Sequence, residues 1–305
     1  MVAGTFPVLI TGFGQYFLNW TGPFQTLYGL IIWYQRPIEN PGGLSGLFSS
    51  QNYAASWLNF VWPFCIALFI EKGNNLFKKI TAFSFLISTA LAAFLTFSRN
   101  AWLGLLTSMP IVLGKKGFKF FLPLTILTIL ILFFLFSPIF NGELQNSLKN
   151  LLPEKILLEF SNDGYEGLDV TRMGIYKSAL ELIKENPFFG VGAGSFTEIF
   201  FLNTNFWKGH SHNLLFELSI SYGLPATIIF FITTINILIL SREKIFLSKI
   251  DFTYIDRAFW TSLFFFLISQ LADVQYFDGK ISLITWILMA GLKNIITEKD
   301  YLTEV

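Results

Sequence analysis

Residues 119–140 read KFFLPLTILTILILFFLFSPIF, and after Lys119 the run carries no charge. A helix that crosses a bilayer needs roughly 20 mostly apolar residues. This stretch is long enough and too apolar to be covered by water, so lipid is its solvent. Working outward from it, comparable runs span Thr5–Asn19, Tyr53–Ile70, Thr81–Phe97, Trp102–Gly114, Leu214–Leu240, Ala258–Ala272 and Ile281–Ile296. The expectation is an all-α, polytopic membrane helix bundle with about eight spans, of which the first, fourth and seventh are short.

Composition agrees. Charged residues make up 13% of the chain, against about 25% in soluble domains, and the mean hydropathy is +0.57. The net charge of +1 supplies no dense basic surface, which excludes nucleic acid as a partner. Cys65 is the one cysteine, so no intramolecular disulfide forms. The first basic residue is Arg36, so the N-terminus lacks the charged start of a secretory signal and reads as membrane sequence.

Orientation follows from Lys and Arg in the short loops, which accumulate on the cytoplasmic side. Lys72, Lys78 and Lys79 follow the second span and Lys115, Lys116 and Lys119 the fourth. Arg242, Lys244, Lys249 and Arg257 follow the sixth, and Lys293 and Lys299 the eighth. The opposite loops hold Arg36, Arg99 and Lys280. This places both termini in the cytoplasm and residues 141–211 outside, as a long external loop within a single membrane domain, 1–305. In that loop Met173, Tyr176, Leu180 and Ile183 recur at helical spacing after a Thr171 cap, and Pro187 ends the run. An amphipathic helix on the membrane surface is expected there, with Pro153 as an earlier breaker.

The costly polar residues then gather on one side. Arg99, in LTFSRNAWLGLL, sits at an external turn and either snorkels to headgroups or faces a cavity as an anion binder. Arg172 opens the loop helix as a solvated or an anion-binding cation. Gly190, Gly192 and Gly194 resemble a phosphate loop superficially, without the preceding strand such a loop needs. His210 and His212 are the only histidines, and imidazole accepts a proton near neutral pH. With Asp273 or Asp278, from LADVQYFDGK, they are alternatively metal ligands. Asp273 orients an imidazole, pairs with an Arg, or lies in an ordinary turn.

Four stretches, GLSGLFSSQNYAASWL (43–58), LTFSRNAWLGLL (95–106), Arg172 to Phe196 and HSHNLLFELSISYGLPA (210–226), together resemble the O-antigen ligase and O-antigen polymerase superfamily. The resemblance spans most of the chain. It implies a membrane glycosyltransferase of the bacterial inner membrane, working on the periplasmic face with a polyprenyl-diphosphate-linked glycan as donor and a glycan or lipid-glycan as acceptor. By residue it implies that Arg99 and Arg172 bind the diphosphate and that His212, the histidine preceding Asn213, is the base; Asn213 and Asp273 are expected to complete the substrate site. It implies no metal and no other cofactor.

Departures from the family pattern are Ser50-Gln51-Asn52 in place of Asn-Pro-Asn, Tyr176 in place of Trp, and Ser221 in place of an acidic residue. The chain is also shorter than family members with ten or more spans, so N-terminal helices are expected to be missing. The stretch GFGQYFLNWTGPFQTLYGLIIWYQRP looks most like cyanobacterial members once associated with inorganic-carbon accumulation. That sets a small-anion, bicarbonate-type transporter and an inactive, shortened family member as the rival readings.

Overall fold

The computed structural model describes residues 1–38, 42–71, 73, 75–137, 139–140, 142–152, 157, 172–248 and 252–298. The expected Thr171 cap, the Pro153 breaker and the orienting lysines Lys72, Lys249 and Lys299 lie outside those residues. The regular secondary structure of the described residues is helical apart from one hairpin, β1 (Phe24–Thr26) and β2 (Ile31–Trp33), which pair antiparallel. The sequence reading assigned no strand there. The hairpin is an Ile-Ile-Trp run facing Phe24, which stacks on Trp33 at 5.3 Å.

The helices are α1 (Phe6–Leu18), α2 (Gln51–Ile70), α3 (Leu76–Leu95), α4 (Arg99–Leu113), α5 (Lys115–Phe136), α6 (Glu143–Lys149), α7 (Arg172–Glu185), α8 (Ser195–Thr204), α9 (Leu214–Arg242), α10 (Tyr254–Ser269) and α11 (Gly279–Glu298). Among the described residues, five helical stretches are long and apolar enough to cross a membrane: α2, α3, Gly117–Phe136 in α5, Leu214–Leu247, and Gly279–Thr297 in α11. The three expected short spans are the helices α1, α4 and α10, of 13, 15 and 16 residues. Each falls below the roughly 17 residues that a straight crossing needs.

Two compact units make up the fold. The first comprises residues 1–166 and 252–262, the second residues 167–251 and 263–305. In the first, α2 is the central helix. Ala54, Ala55, Leu58, Val61 and Ala67 are fully enclosed, and α3 and α4 flank it through Ala92, Ala93 and Ala101. Small residues let these backbones approach closely, the usual basis of packing where lipid removes the hydrophobic drive between helices. The approach is tightest at Gly104, where any Cβ would strike the Asn59 amide. Two side-chain donors are paired across this interface. Asn59 Nδ2 donates to Asn100 O at 3.0 Å, and Trp62 Nε1 to Leu105 O at 3.0 Å. In α5 the exposed Leu124, Leu127, Leu130 and Phe133 suit lipid, and Thr125 and Thr128 return their hydroxyls to carbonyls one turn back.

In the second unit, α7 packs its buried Ile175, Ala179 and Ile183 with Phe196 and Phe200 of α8 and Ile220 of α9. The amphipathic helix is where the sequence placed it, but the stripe is rotated. Met173 is 74% and Leu180 44% exposed, and Ala179, a residue too small to score as apolar in the pattern, sits at the contact. The Leu214–Leu240 run is not one uninterrupted helix. Gly223, at φ 82° and ψ 167°, breaks it.

The break is stabilised by the Gly190–Gly194 turn. Pro225 has no N–H to give Ser221 O, and Leu224 N–H turns away to Pro187 O at 2.7 Å. The two carbonyls left open are taken by Val191 N–H, to Ile220 O at 2.7 Å, and Gly192 N–H, to Ser221 O at 3.2 Å. Gly190 and Gly223 both have positive φ, and a Cβ on either would run into the opposing backbone. The donors of this glycine turn therefore serve a broken helix inside lipid-facing structure, where an open carbonyl is expensive. That is the physical content of a pattern that only superficially resembled a phosphate loop.

Candidate active site

At the head of α9, Asn213 is the N-cap. Its Oδ1 accepts the N–H of Leu215 at 3.0 Å and of Phe216 at 3.4 Å, and its Nδ2 donates to Leu271 O at 3.1 Å. Leu214 N–H donates to Gln270 O at 2.9 Å. The amide that opens α9 thus also pins the chain leaving α10, which brings residues 210–213 against residues 270–275. Ser211 N–H donates to the buried Glu217 Oε2 at 2.7 Å, closing the loop back onto the first turn of the helix.

Within that clasp the two histidines and Asp273 meet. His212 Nδ1 lies 3.0 Å from Asp273 Oδ1, and His210 Nε2 lies 3.4 Å from the same oxygen. The rings pack edge to face, with centroids 4.5 Å apart. Gln275 Nε2 donates to Asp273 Oδ2 at 2.8 Å, and Gln275 is itself held through Gln270, whose Oε1 accepts its backbone N–H at 2.9 Å. Burial raises the Asp273 carboxyl, but the His212 hydrogen bond, both histidine charges and the Gln275 bond outweigh it, and it is held below the usual carboxylate range. Burial also pushes His210 down, to about 4, against the pull of Asp273, so its ring is neutral near pH 7.

The hydrogen bonds fix where the protons sit. An ionised Asp273 only accepts, so His212 Nδ1 carries a proton toward it and Nε2 keeps the lone pair. His212 N–H donates to His210 Nδ1 at 3.2 Å, so the neutral His210 ring carries its proton on Nε2, facing Asp273. The ligating atoms of His210, His212 and Asp273 lie within 4.8 Å of one another, near enough to hold a divalent cation. In this bonding pattern protons on His210 Nε2 and His212 Nδ1 take the directions a cation would need. Chemically, an imidazole oriented by a carboxylate, with its other nitrogen's lone pair available, can act as a general base.

Of the other residues singled out from the sequence, Arg172 is the first residue of α7 and is exposed, in the same unit. Arg99 is exposed at the first position of α4, in the other unit. Its turn is built by Thr96, which accepts from Ser98 N–H at 3.2 Å, and by Phe97 in the left-handed region at φ 50°. Asp278 caps α11, accepting from Lys280 N–H at 2.9 Å, and lies outside the histidine cluster. Sequence reading missed Gln270, Gln275 and Glu217. The signal was present in SQLADVQ (269–275), where two glutamines flank the aspartate at the end of an apolar run.

Residues 82–231 match the family model described as O-antigen ligase, a segment that contains Arg99, Arg172, His210, His212 and Asn213 and stops short of Asp273. No curated protein matches the chain.

Proposed function

Residues 82–231 place this chain in the O-antigen ligase and O-antigen polymerase superfamily, and from that premise we propose that it transfers a glycan from a polyprenyl-diphosphate donor to an acceptor hydroxyl on the periplasmic face of the inner membrane. The observation that carries the reading is His212, held by Asp273 at 3.0 Å with its Nε2 lone pair unspent. In this mechanism Nε2 takes the proton of the acceptor hydroxyl as its oxygen attacks the anomeric carbon. The bond from that carbon to the diphosphate breaks, with inversion, and the lipid diphosphate leaves with its electron pair.

Arg99 and Arg172 neutralise the diphosphate, a task for which the guanidinium fork suits two phosphate oxygens at once. Asp273 stabilises the imidazolium that forms, and Asn213 completes the substrate site by holding the turn that presents His212. The reading requires no metal and no ATP, because the diphosphate linkage is the energy source.

The test is glycan transfer by the purified chain in lipid, from a polyprenyl-diphosphate oligosaccharide, with chelator present. Transfer is expected to survive the chelator and to fall at least about 100-fold in His212→Ala, with membrane insertion unchanged. Arg99→Lys, which keeps the charge but not the fork, is expected to impair it as well. Normal transfer by His212→Ala, or no transfer from several donors by a folded chain, overturns the reading.

A further inference from the structure

In the first unit, the β1–β2 hairpin holds apolar side chains outward at a cost. Its loop places Leu27 at φ 51° and Tyr28 at φ 55°, both in the left-handed region, where asparagine and glycine are the usual residues. Gly29 N–H closes the turn on Thr26 O at 3.2 Å. Tyr28 is fully exposed, and Leu27 and Leu30 are 62% and 81% exposed. Ile31 and Ile32, on opposite faces of β2, are both about half exposed.

The base of the hairpin is clamped to α1. Gly22 N–H donates to Gln35 O at 2.9 Å, and the buried Gln35 gives its Nε2 to Thr11 O at 2.7 Å. Gln15 Nε2 donates to Arg36 O at 2.8 Å. A clamped base under an uncovered apolar tip suits a partner, and the chain itself says which. No residue from 1 to 35 has a charged side chain, and Arg36, the first that does, stands exposed at the hairpin's base. The outward side of α1, with Phe6, Ile10, Phe17 and Leu18 exposed, leads directly into the hairpin, so a lipid-facing surface continues onto it.

Depth follows from two opposed limits. α1 rises only about 20 Å, against roughly 30 Å of hydrocarbon, so apolar structure beyond its end is still wanted. The hairpin cannot lie in the hydrocarbon itself, because the outer edges of a two-stranded sheet carry unpaired N–H and C=O groups. At the boundary between headgroups and chains, water reaches those edges, aromatic side chains are favoured, and phosphate meets a guanidinium. We propose that the hairpin is an interfacial anchor, with Leu27, Tyr28 and Leu30 at the headgroup–acyl boundary of the bilayer and Arg36 on lipid phosphate. No histidine takes part, so this placement stands or falls independently of glycan transfer.

Cys65, the one cysteine, is buried, and Cys65→Ala leaves a single labelling site at Tyr28→Cys or, with Tyr28 kept, at Leu30→Cys. Each is labelled with nitrobenzoxadiazole in the full chain, in phosphatidylcholine–phosphatidylglycerol vesicles. Quenching is expected to be several-fold stronger from lipid spin-labelled near the headgroup than from lipid spin-labelled near the chain end, with iodide on both sides of the membrane having little effect. Leu27→Asp with Tyr28→Asp is expected to bring the label at Leu30→Cys within reach of iodide. Arg36→Gln is expected to weaken the headgroup-level quenching and Arg36→Lys to retain it.

Iodide quenching without lipid quenching puts the tip in water, and stronger quenching from the chain end puts it in the core. Shielding from both puts it against protein, a second copy included. Each of these overturns the anchor, as does an unmoved label in the double Asp variant. Unchanged quenching in Arg36→Gln overturns the phosphate contact.

Discussion

His212 adopts a backbone conformation that costs a non-glycine residue on the order of 1 kcal/mol or more, and histidine is among the few side chains enriched there. The cost is offset by what the turn gains. It places the imidazole on Asp273 and the backbone N–H on His210. The same burial makes the turn acid-sensitive. An unfolded chain protonates His210 near pH 6.5, whereas the folded chain does so only near 4. Between those values the unfolded state binds the extra proton, so stability is full above about pH 6.5 and falls as pH drops through the window. Asp273, held low, keeps its own contribution down to below the usual carboxylate range. Thermal unfolding of the purified protein is expected to show a midpoint that declines between about pH 6.5 and 4. The decline is expected to be largely absent in His210→Phe.

At the scale of elements, the break in α9 matters most, because residues 214–222 carry the histidine loop while the rest of the helix supplies membrane-crossing length. The sequence carried the signs in Gly223-Leu224-Pro225, but hydropathy averages across them, so the run read as continuous. What a window average cannot register is that three backbone segments exchange hydrogen bonds at one point. Gly223→Ala is expected to destabilise the second unit by about 2 kcal/mol or more, since it meets both the positive φ and the Phe188 carbonyl. Hydrogen exchange at Val191 and Gly192 is the measurement, and protection equal to wild type would refute the pairing. Asn213 reads differently at this scale than it did from sequence. Its amide is spent on capping α9 and bridging to Leu271, so its influence on a substrate passes through the loop it holds.

For the whole molecule, two kinds of apolar surface coexist. α2 is enclosed by protein and α5 is exposed along most of its length. Protein-enclosed side chains leave cavities when truncated, whereas lipid chains fill the space beside an exposed one. Leu58→Ala is therefore expected to cost about 2–5 kcal/mol of stability, and Leu130→Ala to be nearly neutral in liposomes. Unfolding midpoints of the two variants, measured side by side, check this. Equal losses would mean that α5 is covered by protein in the membrane.

The sequence by itself determined that lipid is the solvent and that the elements are helices, and it singled out His212, Arg99 and Arg172 as candidate site residues. Those conclusions depend on local quantities: run length, charge placement and residue type. The three short runs became helices too short to cross unaided, and the amphipathic stripe of α7 turned toward Ala179, because the depth of a helix and the face it buries are set by its neighbours. Only the tertiary structure decided that Asp273, distant in sequence, stands behind His212 and that the glycine turn closes a broken helix. Each depends on hydrogen bonds between segments that approach one another only after the helices have packed, and no local pattern encodes a partner sixty-one residues away.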